Sequence, residues 1–319
     1  MKRHLDLSTV STLRLGGFTQ NWRELKTPED IENLVKEREN LGQPLFIVGG
    51  GSNTIFSDGE HQLLVGLMKI KGIEITEQEE WVIIKVGAGE NWDELVALTV
   101  NNNWAGLEAL SAIPGTVGAA PIQNIGAYGA EVKDTIMAVK VYDISAHQFI
   151  TLSNTDCKFS YRDSIFKQNP SKFIVTEVTF KLKKITGSPT LPAIREEIIK
   201  TRWGKLPKPE ELPNNGSFFK NPFVSEEQLK TLVKSYPTIP HFPAENNKIK
   251  IPAGWLVDQA GFKGLRHGAI GTYDKNALVI VNHGGATYDE LEKFIKEIQT
   301  TVFTKFGIKL EPEVNIITN

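Results

Sequence analysis

Ile113-Pro114-Gly115-Thr116-Val117-Gly118-Ala119-Ala120-Pro121-Ile122-Gln123-Asn124-Ile125-Gly126-Ala127-Tyr128-Gly129 packs four glycines, three alanines and two prolines into seventeen uncharged residues. Glycine and proline both oppose a helix interior, so the stretch is not a long helix. Small side chains let a backbone approach a bulky ligand closely. A neutral run of backbone N–H groups suits a phosphate or pyrophosphate. Gln123 and Asn124 add neutral hydrogen-bonding groups. A glycine-rich surface loop is the plainer alternative, but the density of small residues favours ligand contact.

Two more glycine turns lie upstream. Pro44-Leu45-Phe46-Ile47-Val48 reads as an apolar strand running into Gly49-Gly50-Gly51-Ser52-Asn53. Trp81-Val82-Ile83-Ile84-Lys85-Val86 reads as a second, ending in Gly87-Ala88-Gly89. Two strands that each deliver a glycine turn predict one ligand approached from two sides. Gly49 to Asn53 is neither G-x-G-x-x-G nor a P-loop, which argues against a nicotinamide Rossmann domain and a nucleotide triphosphatase. It carries no His, Cys or Tyr for a covalent cofactor link.

Around these turns, Thr27-Pro28-Glu29-Asp30 predicts a capped helix running to about Asn40. Asn91-Trp92-Asp93-Glu94-Leu95 opens another. Residues 139–142 and 149–152 read as paired strands, and residues 173–180 as a further strand. Gly187, Pro189 and Pro192 then break the pattern, and Pro207, Pro209 and Pro213 follow a short helix ending near Arg202. A domain boundary is expected between about residues 185 and 213. Beyond it come a Ser225/Gln228 capping box, a buried strand at 277–282, and a helix capped by Thr287 and Glu290 and stopped by Gly307. A strand at 314–317 closes the chain. Strands and helices mix without strict alternation, so the fold class is α+β.

At 319 residues the chain exceeds the usual single core. Its net charge of -2 argues against nucleic acid as a partner. The N-terminus lacks a secretory pattern and no window reads as a membrane span, so a cytoplasmic protein is expected. Cys157 is alone and the six histidines are scattered, so no metal site is expected.

Three polar motifs stand out. Tyr161-Arg162-Asp163-Ser164-Ile165-Phe166-Lys167 offers an Arg fork that matches a carboxylate, or a plain salt-bridged turn. Asn214-Asn215-Gly216-Ser217-Phe218-Phe219-Lys220-Asn221-Pro222 places a serine between a glycine and two phenylalanines. It is either a hydroxyl proton donor in a dry site or a capping turn. Leu310-Glu311-Pro312-Glu313-Val314 places two carboxylates at a strand start, with Glu311 and Glu313 on one face, against a solvated edge as the alternative.

Taken together, and with Gly106-Leu107-Glu108, Lys205-Leu206-Pro207 and Ala253-Gly254-Trp255-Leu256-Val257-Asp258-Gln259, these motifs resemble the UDP-N-acetylenolpyruvoylglucosamine reductases of peptidoglycan precursor synthesis. The resemblance runs from about residue 12 to 317. It implies an FAD-binding fold of the vanillyl-alcohol-oxidase (PCMH) type plus a smaller α+β substrate-binding domain. The implied division is residues 1–200, in two subdomains split near 70, for FAD, then 201–307 for substrate. Residues 308–319 then form a strand returning a catalytic Glu. The implied reaction is reduction of FAD by NADPH, then hydride transfer from flavin to UDP-N-acetylglucosamine enolpyruvate, giving UDP-N-acetylmuramate for cell-wall growth, cell shape and division. A monomer is implied.

The resemblance also implies roles for residues. Arg162 holds the carboxylate and developing enolate, Ser217 is the general acid, and Glu313 stabilises charge. Lys205 or Lys220 would tune Ser217. Gly49, Gly50, Gly51, Ser52, Asn53, Gly115, Gly118, Gln123, Asn124, Gly126 and Ala127 would hold non-covalent FAD. Tyr161, Lys205, Asn221, Lys263 and Asn276 would contact the sugar nucleotide. One departure concerns the lid. A common subgroup has a longer connection with a tyrosine over the substrate, whereas no Tyr lies between Tyr161 and Tyr236 here. Trp203 offers an aromatic face instead.

Overall fold

The computed structural model describes residues 4–186, 190–244 and 247–319. Two compact units divide the chain. The first is built from Thr19–Gly51 and His61–Arg202, the second from Asp6–Phe18, Ser52–Glu60 and Trp203–Asn319.

In the first unit Asn21–Leu25, Leu64–Met68 and Leu45–Val48 form a parallel three-stranded sheet with Leu64–Met68 central and buried throughout. Parallel neighbours need a crossover, and helix Pro28–Leu41 supplies one, burying Ile31, Leu34 and Val35. Thr27 caps its start, as the sequence predicts; Asp30 completes a reciprocal cap, and Gly42 closes the helix in the left-handed conformation. The parallel sheet ends at Met68 and an antiparallel one begins at Ile73. Its strands run in the order Gln148–Ser153, Ile136–Asp143, Phe173–Lys184, Trp81–Gly87, Ile73–Glu77, with Trp104–Ala105 also on Phe173–Lys184. Alternate residues Val82, Ile84 and Val86 face one core with Val139, Val141, Val178 and Phe180.

In the second unit Asn214–Ser217, Asn276–Asn282, Ile270–Tyr273 and Arg266–His267 form an antiparallel sheet. Helix Tyr288–Phe306 buries Leu291, Phe294, Ile295, Ile298, Val302 and Phe306 in that unit's core, at the spacing read from sequence. Thr287 and Glu290 form its capping box and Gly307 ends it.

Two expectations change. The helix before the boundary is not short: it spans Leu191–Lys205, and Pro192 falls in its first turn, where a missing N–H costs nothing. Gly187 and Pro189 lie outside the described residues. Nor does the second unit begin near residue 200 alone, because 6–18 and 52–60 belong to it. The reason is pairing. Thr54–Phe56 forms a parallel ladder with Asn315–Ile317, and Ser11 Oγ donates to Thr54 O at 2.7 Å. Asn214 N donates to Thr12 O at 3.1 Å, and Asn282 Nδ2 to Leu13 O at 3.0 Å. Ser52 and Asn53 therefore fall in the second unit and Gly49, Gly50 and Gly51 in the first. Among the described residues no helix is long and apolar enough to cross a membrane.

Candidate active site

The three small-residue turns meet inside the first unit. A Cβ on Gly49 would run into Thr116 Oγ1, one on Gly50 would lie 2.7 Å from Gly115 Cα, and one on Gly118 would lie 2.5 Å from Ala88 Cβ. Only glycine allows these approaches. Residues 88–92 run beside 110–118 and hold them. Gly118 N donates to Ala88 O at 2.9 Å, Val117 N to Glu90 O at 2.9 Å, Trp92 N to Gly115 O at 3.1 Å and Trp92 Nε1 to Leu110 O at 3.0 Å. Thr116 Oγ1, facing Gly49, is buried with no hydrogen-bond partner among the described residues. Burying a hydroxyl unsatisfied costs about 1–3 kcal/mol, so this atom calls for a polar ligand.

Next along the chain, Gly126–Ala127 pairs with Ala130–Glu131 across Tyr128 and Gly129, both with positive φ. That is the hairpin geometry with two left-handed central residues. The Arg162 loop folds onto this hairpin. Arg162 Nη2 donates to Gly126 O at 2.9 Å and its guanidinium lies 5.4 Å from the Tyr161 ring centroid. Lys167 Nζ donates to Gln123 Oε1 at 3.4 Å and to Arg162 O at 3.2 Å, and Ser164 Oγ donates to Ile122 O at 2.5 Å. Gln123, Gly126, Ala127, Tyr161 and Arg162 are thus brought together. Asn124 is not offered to a ligand. It is fully buried, its Nδ2 donates to Glu131 Oε2 and Ser160 O, and its Oδ1 accepts from Lys133 N. Its amide is consumed in joining the two loops.

In the second unit the Ser217 and Glu313 segments lie side by side. Gly216 has φ +68, a left-handed turn that favours glycine and carries the chain from Asn214 to Ser217. Phe218 N donates to Leu278 O at 2.9 Å, Glu313 N donates to Phe218 O at 2.7 Å, and Lys220 N donates to Glu311 O at 2.9 Å. Phe218 and Phe219 are buried beneath, their rings edge to face at 5.0 Å. Glu311 and Glu313 flank Pro312, which bridges antiparallel to Phe219. The ladder begins only at Asn315, Glu311 is largely exposed, and it pairs with Lys220 at 3.7 Å. Asn53, expected at the cofactor, holds this segment: its Nδ2 donates to Glu313 O at 3.3 Å and its carbonyl accepts Asn315 N at 3.0 Å.

The substrate candidates of this unit divide. Asn221 Oδ1 accepts Ala253 N at 2.9 Å, at the start of helix Ala253–Gln259, and Asn276 Oδ1 lies near Gly254. Lys263 is beyond that helix, 3.4 Å from Asp258. Lys205 is exposed at the end of Leu191–Lys205. Cys157 is buried, which, with Asp156 nearby, pushes its thiol up to about 12, so it is no nucleophile.

A profile of the UDP-N-acetylenolpyruvoylglucosamine reductase C-terminal domain matches residues 208–317, and a profile of an FAD binding domain matches residues 22–150. A UDP-N-acetylenolpyruvoylglucosamine reductase of Flavobacterium johnsoniae is 38% identical over 99% of this chain and 99% of its own length. The chain belongs to the UDP-N-acetylenolpyruvoylglucosamine reductase family. Another reductase of that name, from Bdellovibrio bacteriovorus, is 40% identical over 97% of each chain. The crystal structure of UDP-N-acetylenolpyruvylglucosamine reductase from Thermus caldophilus superposes with a TM-score of 0.72 at 25% identity, covering 99% of this chain and 98% of its own. A solvent-stable cholesterol oxidase, 10% identical, gives a TM-score of 0.51 over 98% of this chain and 86% of its own, a likeness of fold alone.

This reductase is therefore a flavin-dependent oxidoreductase with FAD as its cofactor. The residues present fit that group: the close approaches at Gly49, Gly50 and Gly118 bring the three turns together, and Thr116 Oγ1 among them is a buried polar atom in want of a partner. The sequence does not mark Thr116 as a ligand or Lys167 as the link between the two loops, since one hydroxyl among small residues and one lysine carry no pattern of their own.

Proposed function

We propose that this chain reduces UDP-N-acetylglucosamine enolpyruvate to UDP-N-acetylmuramate in the cytoplasm, with NADPH as reductant. The observation that carries the reading is full-length kinship with reductases of that name, in a chain holding both an FAD binding domain and the family's C-terminal domain. We assign the cofactor to the first unit and substrate recognition to the second. FAD, when bound, supplies two-electron chemistry between the two substrates. Gly49, Gly50, Gly51, Gly115, Thr116 and Gly118 would hold it.

The chain's own residues have three tasks. Reducing an enol ether conjugated to a carboxylate builds negative charge on that carboxylate, which the site must stabilise. Arg162 takes this role: its planar fork matches a carboxylate through two hydrogen bonds, and Gly126 O orients it. Ser217 Oγ gives its proton to the substrate carbon, and Phe218 and Phe219 exclude water beneath it. Glu313, its segment tied to that of Ser217 by its N–H on Phe218 O, would steady the charge as a protonated acid or through a paired arginine. Lys205 or Lys220 would supply the cation that assists Ser217; Lys220 pairs with the exposed Glu311 at 3.7 Å. Tyr161, Asn221 and Asn276 serve the sugar nucleotide, and Lys205 and Lys263 serve its diphosphate as charges.

Ser217→Ala tests the assignment in two half-reactions followed by stopped flow. NADPH should bleach the flavin of the variant as fast as that of the wild type. Reoxidation by the enolpyruvyl sugar nucleotide should slow by roughly 10²–10⁴-fold, the usual worth of a proton donor. Equal slowing of both halves would remove Ser217 from the role.

A further inference from the structure

Helix Leu191–Lys205 is not seated by an apolar face, since Leu191 is the one buried residue among those described in it. Charge seats it instead. Arg195 places a fork on Asp93, Nη1 to Oδ1 and Nη2 to Oδ2, both at 2.7 Å, and its side chain is only 15% exposed. Arg202, two turns on, is desolvated enough to pull its guanidinium below the ordinary value, with Tyr128 and Asp93 opposing that shift. Asp93 stands in the first turn of helix Trp92–Asn101, and its Oδ1 also accepts Ala112 N at 2.5 Å. Ala112 has φ +58, a left-handed conformation in a residue with a side chain. Such strain persists only where the surroundings impose it. The next four residues are Ile113 to Thr116, of which the Gly115 backbone closes on Gly50 and the Thr116 side chain on Gly49.

We propose that Asp93 and Arg195 are positioning residues for the flavin. The carboxylate sets the corner at Ala112 from which the 113–116 turn departs, and Arg195 fixes the carboxylate, so the 191–205 helix braces the cradle. The inference rests on FAD occupying that cradle. Burial opposes the charge on Asp93, but the Arg195 fork, the Ala112 N–H and the charges of Arg195 and Arg202 outweigh it and hold the carboxyl below its usual range. The clamp is therefore ionised at neutral pH. Lysine replaces the arginine only in part, because it keeps the charge but lacks the fork.

The test titrates apoprotein with FAD, reads the dissociation constant from flavin fluorescence, and melts the same apoprotein. The variants are Arg195→Met, Arg195→Lys and Asp93→Asn. Arg23→Met, which removes an exposed pair with Glu37 in the same unit, is the control. Arg195→Met and Asp93→Asn should weaken FAD by about 10- to 100-fold, the scale of a lost charge-assisted hydrogen bond. Arg195→Lys should fall between, and Arg23→Met should bind as the wild type does. A merely structural clamp would lower the melting temperature and leave the affinity of folded protein unchanged. Wild-type affinity in either folded Arg195 variant overturns the proposal, and the lysine variant decides if the methionine one does not fold. Wild-type apoprotein that takes up no FAD would overturn the cofactor reading instead.

Discussion

A side chain at Gly50 would sit 2.7 Å from the Gly115 Cα, and a backbone atom cannot swing aside as a rotamer can. Gly50→Val should therefore push the 113–116 turn away and empty the cradle. The measurement is the flavin-to-protein absorbance ratio after gel filtration. A large fall is expected, and an unchanged ratio would separate this contact from the cofactor. Glycines such as this one are legible in a sequence because the absent side chain is itself the signal. Asn124 was not, since an amide advertises hydrogen bonding without naming its partner, and here the partners are Glu131, Ser160 and Lys133. Asp93 read as a helix-opening acid. Its partner Arg195 lies 102 residues away, and nothing local joins them. Asn53 likewise sits in a glycine turn but bonds to Glu313, 260 residues on.

Helix starts built from neighbouring residues are legible in the sequence. Thr27 with Asp30, Ser225 with Gln228, and Thr287 with Glu290 each close a reciprocal cap within four residues. Thr287→Ala should cost about 1 kcal/mol, or roughly 2–4 °C in the melting midpoint of a unit this size. A thermal melt by circular dichroism checks it, and an unmoved midpoint would show that the cap contributes nothing. Helix Leu191–Lys205 was underestimated for the opposite reason. It presents no apolar stripe to read, and the ion pair that seats it is long-range. The closing strand, expected at 314–317, begins one residue later, and 310–314 leads into it. The structure gives that leading segment only a bridge between Phe219 and Pro312, with the ladder starting at Asn315.

For the molecule as a whole, the α+β class and a glycine-rich ligand loop followed from local composition and the flavin from the family resemblance, whereas the division into units followed from neither. The chain leaves the second unit after Phe18, returns for Ser52–Glu60, and returns again at Trp203. Those returns are fixed by pairings such as Thr54–Phe56 with Asn315–Ile317, which join distant parts of the sequence without a pattern in either part. The central claim is functional: a glycine cradle in one unit holds FAD, and the second unit presents an enolpyruvyl sugar nucleotide for reduction. The most direct test is an anaerobic titration of the purified protein, first with NADPH and then with UDP-N-acetylglucosamine enolpyruvate, watched in the visible spectrum. The account predicts that NADPH bleaches the flavin band and that the sugar nucleotide restores it mole for mole. A folded preparation that takes up no FAD, or a bleached flavin that the sugar nucleotide leaves bleached, would contradict it.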